Sequence, residues 1–206
     1  MATGGNLGLV DFVTLASHKF HGPSGVGVVL CRTPRSLLKP LMYGGHQQHG
    51  LRPGTEPVGA LTALADALED ANHPTRLPDR ITKMRQMTDK VWATLMPFIT
   101  AGLVLPTGSM ERTPHLVSFC VHGVHRSELV SRMEKELGIL LSSGSACLTD
   151  SSLPSHVLDA LRVPDVFIHG SVRISLSHLN TMDEMVNRLC PALVTLLKKY
   201  VINEKK

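Results

Sequence analysis

The chain has 206 residues, 43% hydrophobic and 18% charged, enough apolar matter for a packed core in one domain or two small ones, and so not an intrinsically disordered chain. Lys plus Arg number 21 against 17 Asp plus Glu, a formal net charge of +4; the surplus is spread along the chain, so no nucleic-acid partner is expected. No apolar run of about 18 residues exists to form a membrane-spanning helix.

The start, MATGGNLGLV, has neither the positive flank of a signal peptide nor the Arg content of a transit peptide. Cys31, Cys120, Cys147 and Cys190 lie far apart without a CxxC spacing. That usage points to a reduced, intracellular protein, cytoplasmic or, with a targeting segment upstream, mitochondrial.

Residues 8–16 are rich in β-branched and apolar types and predict a buried strand. A turn cluster, 17–25, separates it from a second strand over 26–30, so the pair forms an antiparallel hairpin with a wide tip. Residues 43–54 hold four glycines and Pro53 and form a loop. Thr55 opens a helix whose apolar positions are 58, 61, 64, 65 and 68. Residues 72–78, with two prolines, form a linker. A second helix follows, with Ile81, Met84, Met87, Val91 and Leu95 on one stripe. Further on come a half-buried strand over 115–121, a helix over 128–137, and short strands over 138–141 and 172–176. Thr181 and Glu184 have capping-box spacing and open a last helix to about Tyr200, kinked at Pro191. The domains are therefore placed at 1–73 and 74–206, the second a small α+β layer.

Four positions carry candidate chemistry. Lys19 ends an apolar strand between His18 and Phe20; partial burial would favour the neutral amine that imine formation needs, and the alternative is a stem that snorkels over the hairpin. Cys147 stands in a Ser/Gly-rich stretch where a structural cysteine is out of place, so it is an exposed nucleophile or an incidental thiol. Cys31, Cys120 and Cys190 sit in apolar patterns and read as inert core. Arg173 interrupts the apolar strand 172–176; facing inward it needs an anion such as a substrate carboxylate, facing outward it is an ordinary surface residue. Arg52 is similar, and Thr55 either offers its hydroxyl to a phosphate or simply caps a helix. The pairs His46/His49 and His122/His125 have ligand spacing but no nearby third ligand, and no metal is assigned.

The motifs in chain order resemble one family. Asp11-Phe12-Val13, His18-Lys19-Phe20-His21-Gly22-Pro23 and Gly25-Val26-Gly27 resemble the cofactor-lysine segment of class-V aminotransferase-fold enzymes. Gly44-Gly45-His46-Gln47 and Gly50-Leu51-Arg52-Pro53-Gly54-Thr55 resemble their dimer-crossing loop. Ser142-Ser143-Gly144-Ser145-Ala146-Cys147 resembles the catalytic loop of cysteine desulfurases and selenocysteine lyases, and Val172-Arg173-Ile174-Ser175-Leu176 continues the match.

The resemblance implies an α/β fold: the C-terminal part of the large domain of a fold-type I, pyridoxal-phosphate-dependent transferase, followed by a small α+β domain. It implies that Lys19 holds pyridoxal 5'-phosphate as an imine, with His18, Ser17 and Thr55 in the cofactor site. Arg173 and Arg52 would bind substrate, L-cysteine or L-selenocysteine, and Cys147 would take its sulfur as a persulfide, leaving L-alanine. A homodimer and a sulfur-acceptor protein are the implied partners. The rival within the family is an aminotransferase or epimerase, which has no use for a mobile thiol; the rival outside enzymes is a truncated pseudoenzyme acting as partner subunit. Two departures stand out. Where the family has Ser three residues before the lysine this chain has Ala16, with Ser17 one step later, and the family's N-terminal half, with the ring partners, has no counterpart ahead of Lys19. The sheet at 10–30 is therefore expected to expose an edge.

Overall fold

A computed structural model describes residues 10–32, 38–108, 112–143 and 155–203, with 202 and 203 described by backbone alone. The chain divides into two compact units, Met1–Pro78 and Asp79–Lys206.

In the first unit, β1 (Phe12–Ala16) and β2 (Gly27–Cys31) form a two-stranded antiparallel ribbon, paired from Phe12 with Cys31 to Ala16 with Gly27. A one-turn 3-10 helix, Ser17–Phe20, begins the connection between them. The expected burial of the first strand is not found: Phe12 is 41% exposed, and Val29 of the paired strand 57%. A two-stranded ribbon has too few neighbours to cover both its faces, however apolar its sequence. Helix α1 (Val58–Ala71) follows the loop. It starts at Val58 and not at Thr55, because Pro57 takes the N-cap position and a residue before proline, here Glu56, is pushed out of the helical region. Among the described residues of this unit, Leu64 is the buried apolar side chain.

Helix α2 (Arg76–Thr100) begins earlier than the expected linker allows. Pro78 falls in its first turn, where the missing N–H is no loss. Met87, Val91 and Leu95 are fully buried and Met84 packs beside them, the stripe its spacing predicts. The second unit continues with β3 (Val104–Pro106), β4 (Leu116–Val121), α3 (Arg126–Leu137), α4 (His156–Ala160), α5 (Asp165–Ile168) and β5 (Ser171–Ser175). It ends with α6 (Met182–Glu184), a π-helical turn (Met185–Leu189) and α7 (Cys190–Asn203). The three strands form an antiparallel sheet in the order β3-β4-β5. One face of it (Val117, Phe119, Val121, Val172 and Ile174) packs on side chains of α2, α3 and α7. On the other face Cys120 packs with Leu158 and Ile168. No helix among the described residues is long and apolar enough to cross a membrane.

One expected feature takes another form. Residues 138–141 are not a strand: Gly138, at φ 65°, closes α3 in the left-handed conformation, and the Ile139 N–H returns to the Met133 carbonyl. The pairing begins one residue later, as an isolated bridge between Ser142 and Arg173. At Pro191 the helix is not broken. The preceding π turn, with the Cys190 N–H reaching the Met185 carbonyl, widens the helix where the proline ring would otherwise press on the carbonyl of the turn before it.

The capping box forms as its spacing predicts: the Glu184 N–H donates to Thr181 Oγ1 at 3.2 Å and the Thr181 N–H to Glu184 Oε2 at 2.8 Å. The bond from the Thr181 N–H, with a further one from Asn180 Nδ2 to the same oxygen, holds the Glu184 carboxyl below its usual range. Thr181→Ala should cost about 1 kcal/mol in denaturant unfolding. Gly170 sets a harder limit, since an added Cβ would collide with the Val121 carbonyl oxygen and lie 2.8 Å from that of Val124. Both obstacles are backbone, so Gly170→Ala should lower stability by about 3 kcal/mol, read as a fall in Tm.

Candidate active site

Ser17, His18 and Lys19 share the one-turn helix at the end of β1. The turn is closed by His21, in the left-handed conformation at φ 70°, and by the Gly22 N–H, which donates to the Ser17 carbonyl at 3.0 Å. Ser17 is fully buried, and its Oγ has no hydrogen-bond partner among the described residues. Gly22 is the reason such a tight turn exists: a Cβ there would collide with Ser17 Oγ and sit 3.3 Å from Ala67 Cβ of α1. His18 and Lys19 are exposed. The expected desolvation of Lys19 is thus absent, because the ribbon brings no apolar wall to its side chain.

Arg52 and Thr55 lie on the loop ahead of α1, both exposed. Arg52 donates from Nη1 to the neighbouring Pro53 carbonyl at 2.6 Å. Thr55 stands before the helix rather than at its N-cap, so neither its hydroxyl nor its backbone N–H belongs to a helix terminus. The loop braces itself through Gln47, whose Oε1 accepts from the Gly54 N–H at 3.2 Å. Gln48 and His49 are both left-handed, at φ 50° and 60°, a conformation costly for residues with a Cβ.

Arg173 belongs to the second unit. It pairs with Ser118 of β4 on one side and with Ser142 on the other. Val172 and Ile174 point into the main core, so alternation along the strand puts Ser171 and Arg173 on the opposite face, with Ser118 and Cys120. That face is polar where α4 and α5 do not cover it. Thr107 Oγ1 donates to Ser118 Oγ at 2.6 Å, Ser171 Oγ to the Ser143 carbonyl at 3.2 Å, and Arg173 Nη2 to Ser142 Oγ at 3.4 Å. Among the described residues the Arg173 Nε is buried without a partner. A buried guanidinium N–H in that state leaves a donor unsatisfied, which an anionic acceptor would relieve. Ser118 and Ser171 were not singled out from the sequence as functional; Ser171 shares a strand face with Arg173 by period-two spacing, whereas Ser118 and Ser142 are brought opposite it by pairing between segments, which leaves no local signal.

The thiols differ as burial dictates. Cys120 and Cys190 are buried, and burial pushes the Cys120 thiol up to about 11. It stays protonated at neutral pH and is no nucleophile. Cys31 is only half-buried, since its strand lies in the exposed ribbon and not in a core. Cys147 lies outside the described residues, four positions beyond Ser143. Of the histidine pairs, His125 caps α3 by accepting from the Ser127 N–H at 3.3 Å, and His122 meets the Phe167 ring edge-on at 5.1 Å.

Residues 7–189 match the family described as Aminotransferase class-V. The chain belongs to the class-V aminotransferase family. A cysteine desulfurase of Gluconacetobacter diazotrophicus is 36% identical to this class-V chain over 191 residues, 92% of the chain and 46% of that protein. A cysteine desulfurase of Klebsiella pneumoniae is 34% identical over 176 residues, 85% of the chain and 43% of that protein. A solved NifS-like protein superposes with a TM-score of 0.75 at 29% identity, over 94% of the chain and 47% of its own. The α/β fold is therefore that of the class-V family, and the chain spans about half the length of the relatives it matches.

The Ser17–Gly22 contact yields a double-mutant test. Ser17→Ala alone should change stability by less than about 0.5 kcal/mol, because no hydrogen bond of the side chain is lost. Gly22→Ala should cost about 1–3 kcal/mol by crowding. Adding Ser17→Ala to Gly22→Ala should recover part of that loss, read as a non-additive shift in denaturation midpoint.

Proposed function

We propose that this chain acts in the pyridoxal-phosphate-dependent removal of sulfur from L-cysteine. The observation that carries the proposal is Arg173: a half-buried guanidinium with an orphaned Nε, hydrogen-bonded to Ser142 at the base of the chain that leads to Cys147. An amino-acid carboxylate meets that donor, and a thiol a few residues away meets the sulfur.

The residues suit the cofactor that the family uses. Lys19 offers an exposed amine, and Ser17 in the same turn has a hydroxyl without a partner, a donor that a phosphate oxygen satisfies. His18 and Thr55 complete the set assigned to it. Bound there, pyridoxal phosphate would supply an electron-withdrawing ring that spreads the charge left by bond breaking at the substrate Cα. Lys19 Nζ then holds the Cα proton and returns it. Arg173 orients the α-carboxylate, and Arg52 is the second residue assigned to substrate. Cys147, as thiolate, attacks the substrate sulfur: an S–S bond forms as the carbon–sulfur bond breaks, the electron pair stays with carbon, and protonation there completes alanine. The persulfide on Cys147 passes to a sulfur-acceptor protein. The same residues serve L-selenocysteine, with selenium in place of sulfur. A homodimer belongs to the same reading, with the braced loop around Arg52 as its crossing element.

A second reading is a non-catalytic partner subunit of a longer relative. The exposed apolar faces of β1 and β2, Phe12, Val29 and Leu30 among them, favour it.

Adding pyridoxal phosphate to the 206-residue chain should give the visible absorbance of a lysine imine, lost in Lys19→Ala. With a thiol reductant present to release the persulfide sulfur as sulfide, itself going to the disulfide, L-cysteine should then yield sulfide and alanine, and Cys147→Ala should drop sulfide release to background while keeping the absorbance. Undiminished sulfide from Cys147→Ala refutes the desulfurase role. Absence of any cofactor absorbance, with co-purification of a longer relative, selects the partner-subunit reading.

A further inference from the structure

The guanidinium of Arg173 is held from one side only. Among the described residues its hydrogen bond is the one from Nη2 to Ser142 Oγ, at 3.4 Å, while Nε is buried and unpaired. The main chains of the two residues are joined twice over: the Ser142 N–H donates to the Arg173 carbonyl at 3.2 Å and the Arg173 N–H to the Ser142 carbonyl at 2.7 Å. A further bond, from Ser171 Oγ to the Ser143 carbonyl at 3.2 Å, holds the next residue to the same strand. Ser142 is therefore fixed in place by backbone pairing, and its hydroxyl is a fixed point for the arginine.

A long, flexible arginine loses rotamer freedom when it grips a ligand, and that loss subtracts from affinity. An arginine already steered by a fixed hydroxyl has less to lose. The bond at 3.4 Å sits at the outer limit of hydrogen-bond length, so it orients the group without competing strongly for its protons. Each terminal nitrogen of a guanidinium carries two N–H groups. With one of those on Nη2 directed to Ser142, the others remain available for a two-pronged grip on a carboxylate.

We infer that Ser142 is a positioning residue for Arg173: its hydroxyl pre-orients the guanidinium for a carboxylate ligand. The inference deepens the functional reading above and rests on its assignment of Arg173 to the substrate carboxylate. It concerns Ser142 as part of the carboxylate site and not as part of the thiol's chemistry.

The test uses the full chain and watches the Arg173 Nε–H resonance by 15N NMR during titration with L-alanine, with sodium chloride at matched ionic strength as the control. Ser142→Thr keeps the hydroxyl and Ser142→Val replaces it with a methyl of nearly the same shape, so the pair differs in hydrogen bonding and hardly in packing; Ser142→Ala is the third variant. The wild type and Ser142→Thr should titrate alike within about twofold. Ser142→Val and Ser142→Ala should bind L-alanine about three- to tenfold more weakly, the range for losing one long hydrogen bond from a guanidinium. Their Arg173 Nε–H should also exchange faster with solvent while the main-chain amides of Ser142 and Arg173 stay protected. Equal titration of Ser142→Val and wild type overturns the role of Ser142 and leaves the carboxylate assignment standing. No response of Arg173 to L-alanine in any variant, wild type included, overturns both.

Discussion

Strand β5 is paired along both of its edges, to β4 on one side and to Ser142 on the other, and the candidate carboxylate site depends on that double pairing. Side chains alternate across a strand, so register alone decides whether Arg173 points into the apolar core or onto the polar face. A slip of one residue would bury the guanidinium among Phe119, Leu129 and Leu197 and expose Val172 and Ile174. The core residues on either side of Arg173 make that slip too costly. The arginine is thus oriented by its apolar neighbours, and the serines opposite it contribute hydrogen bonds to an orientation already chosen.

The two units differ in how much they bury. The second packs three strands against long helices, with Met87, Val91, Leu95, Phe119 and Leu197 fully or almost fully out of water. The first has one ribbon and one helix, and its described side chains bury Leu64 and Ser17. The lysine proposed for the cofactor sits in the less buried unit and the arginine proposed for the carboxylate in the better packed one. Precise orientation is needed of the arginine, whose fork must meet two oxygens at once, and it is on the rigid sheet that the arginine is found.

Legibility from sequence followed the range of the forces involved. The Thr181–Glu184 box spans four residues, and its bonds form as spacing predicts. The α2 stripe of Met87, Val91 and Leu95 was legible because a helix long enough to repeat its period several times states its buried face. The failures lie where a single residue or a distant neighbour decides. Gly138 ended a helix where a strand was expected, Pro57 moved a helix start from Thr55 to Val58, and three-residue β3 was too short to show any period. The exposure of β1 could not be read from its own residues, since burial is a property of what packs on a strand.

The order of the lysine, loop, thiol and arginine motifs, the caps and the helical stripes were determined by sequence alone, because each depends on contacts within a few residues or on pattern. Which face of β5 carries Arg173, that its Nε lacks a partner among the described residues, that Ser142 rather than a more distant group holds its Nη2, and that Lys19 stands in the open were decided by tertiary structure alone. Those facts arise from pairing between segments some thirty residues apart, such as Ser142 and Arg173, and from the presence or absence of covering layers, neither of which leaves a local mark in the chain.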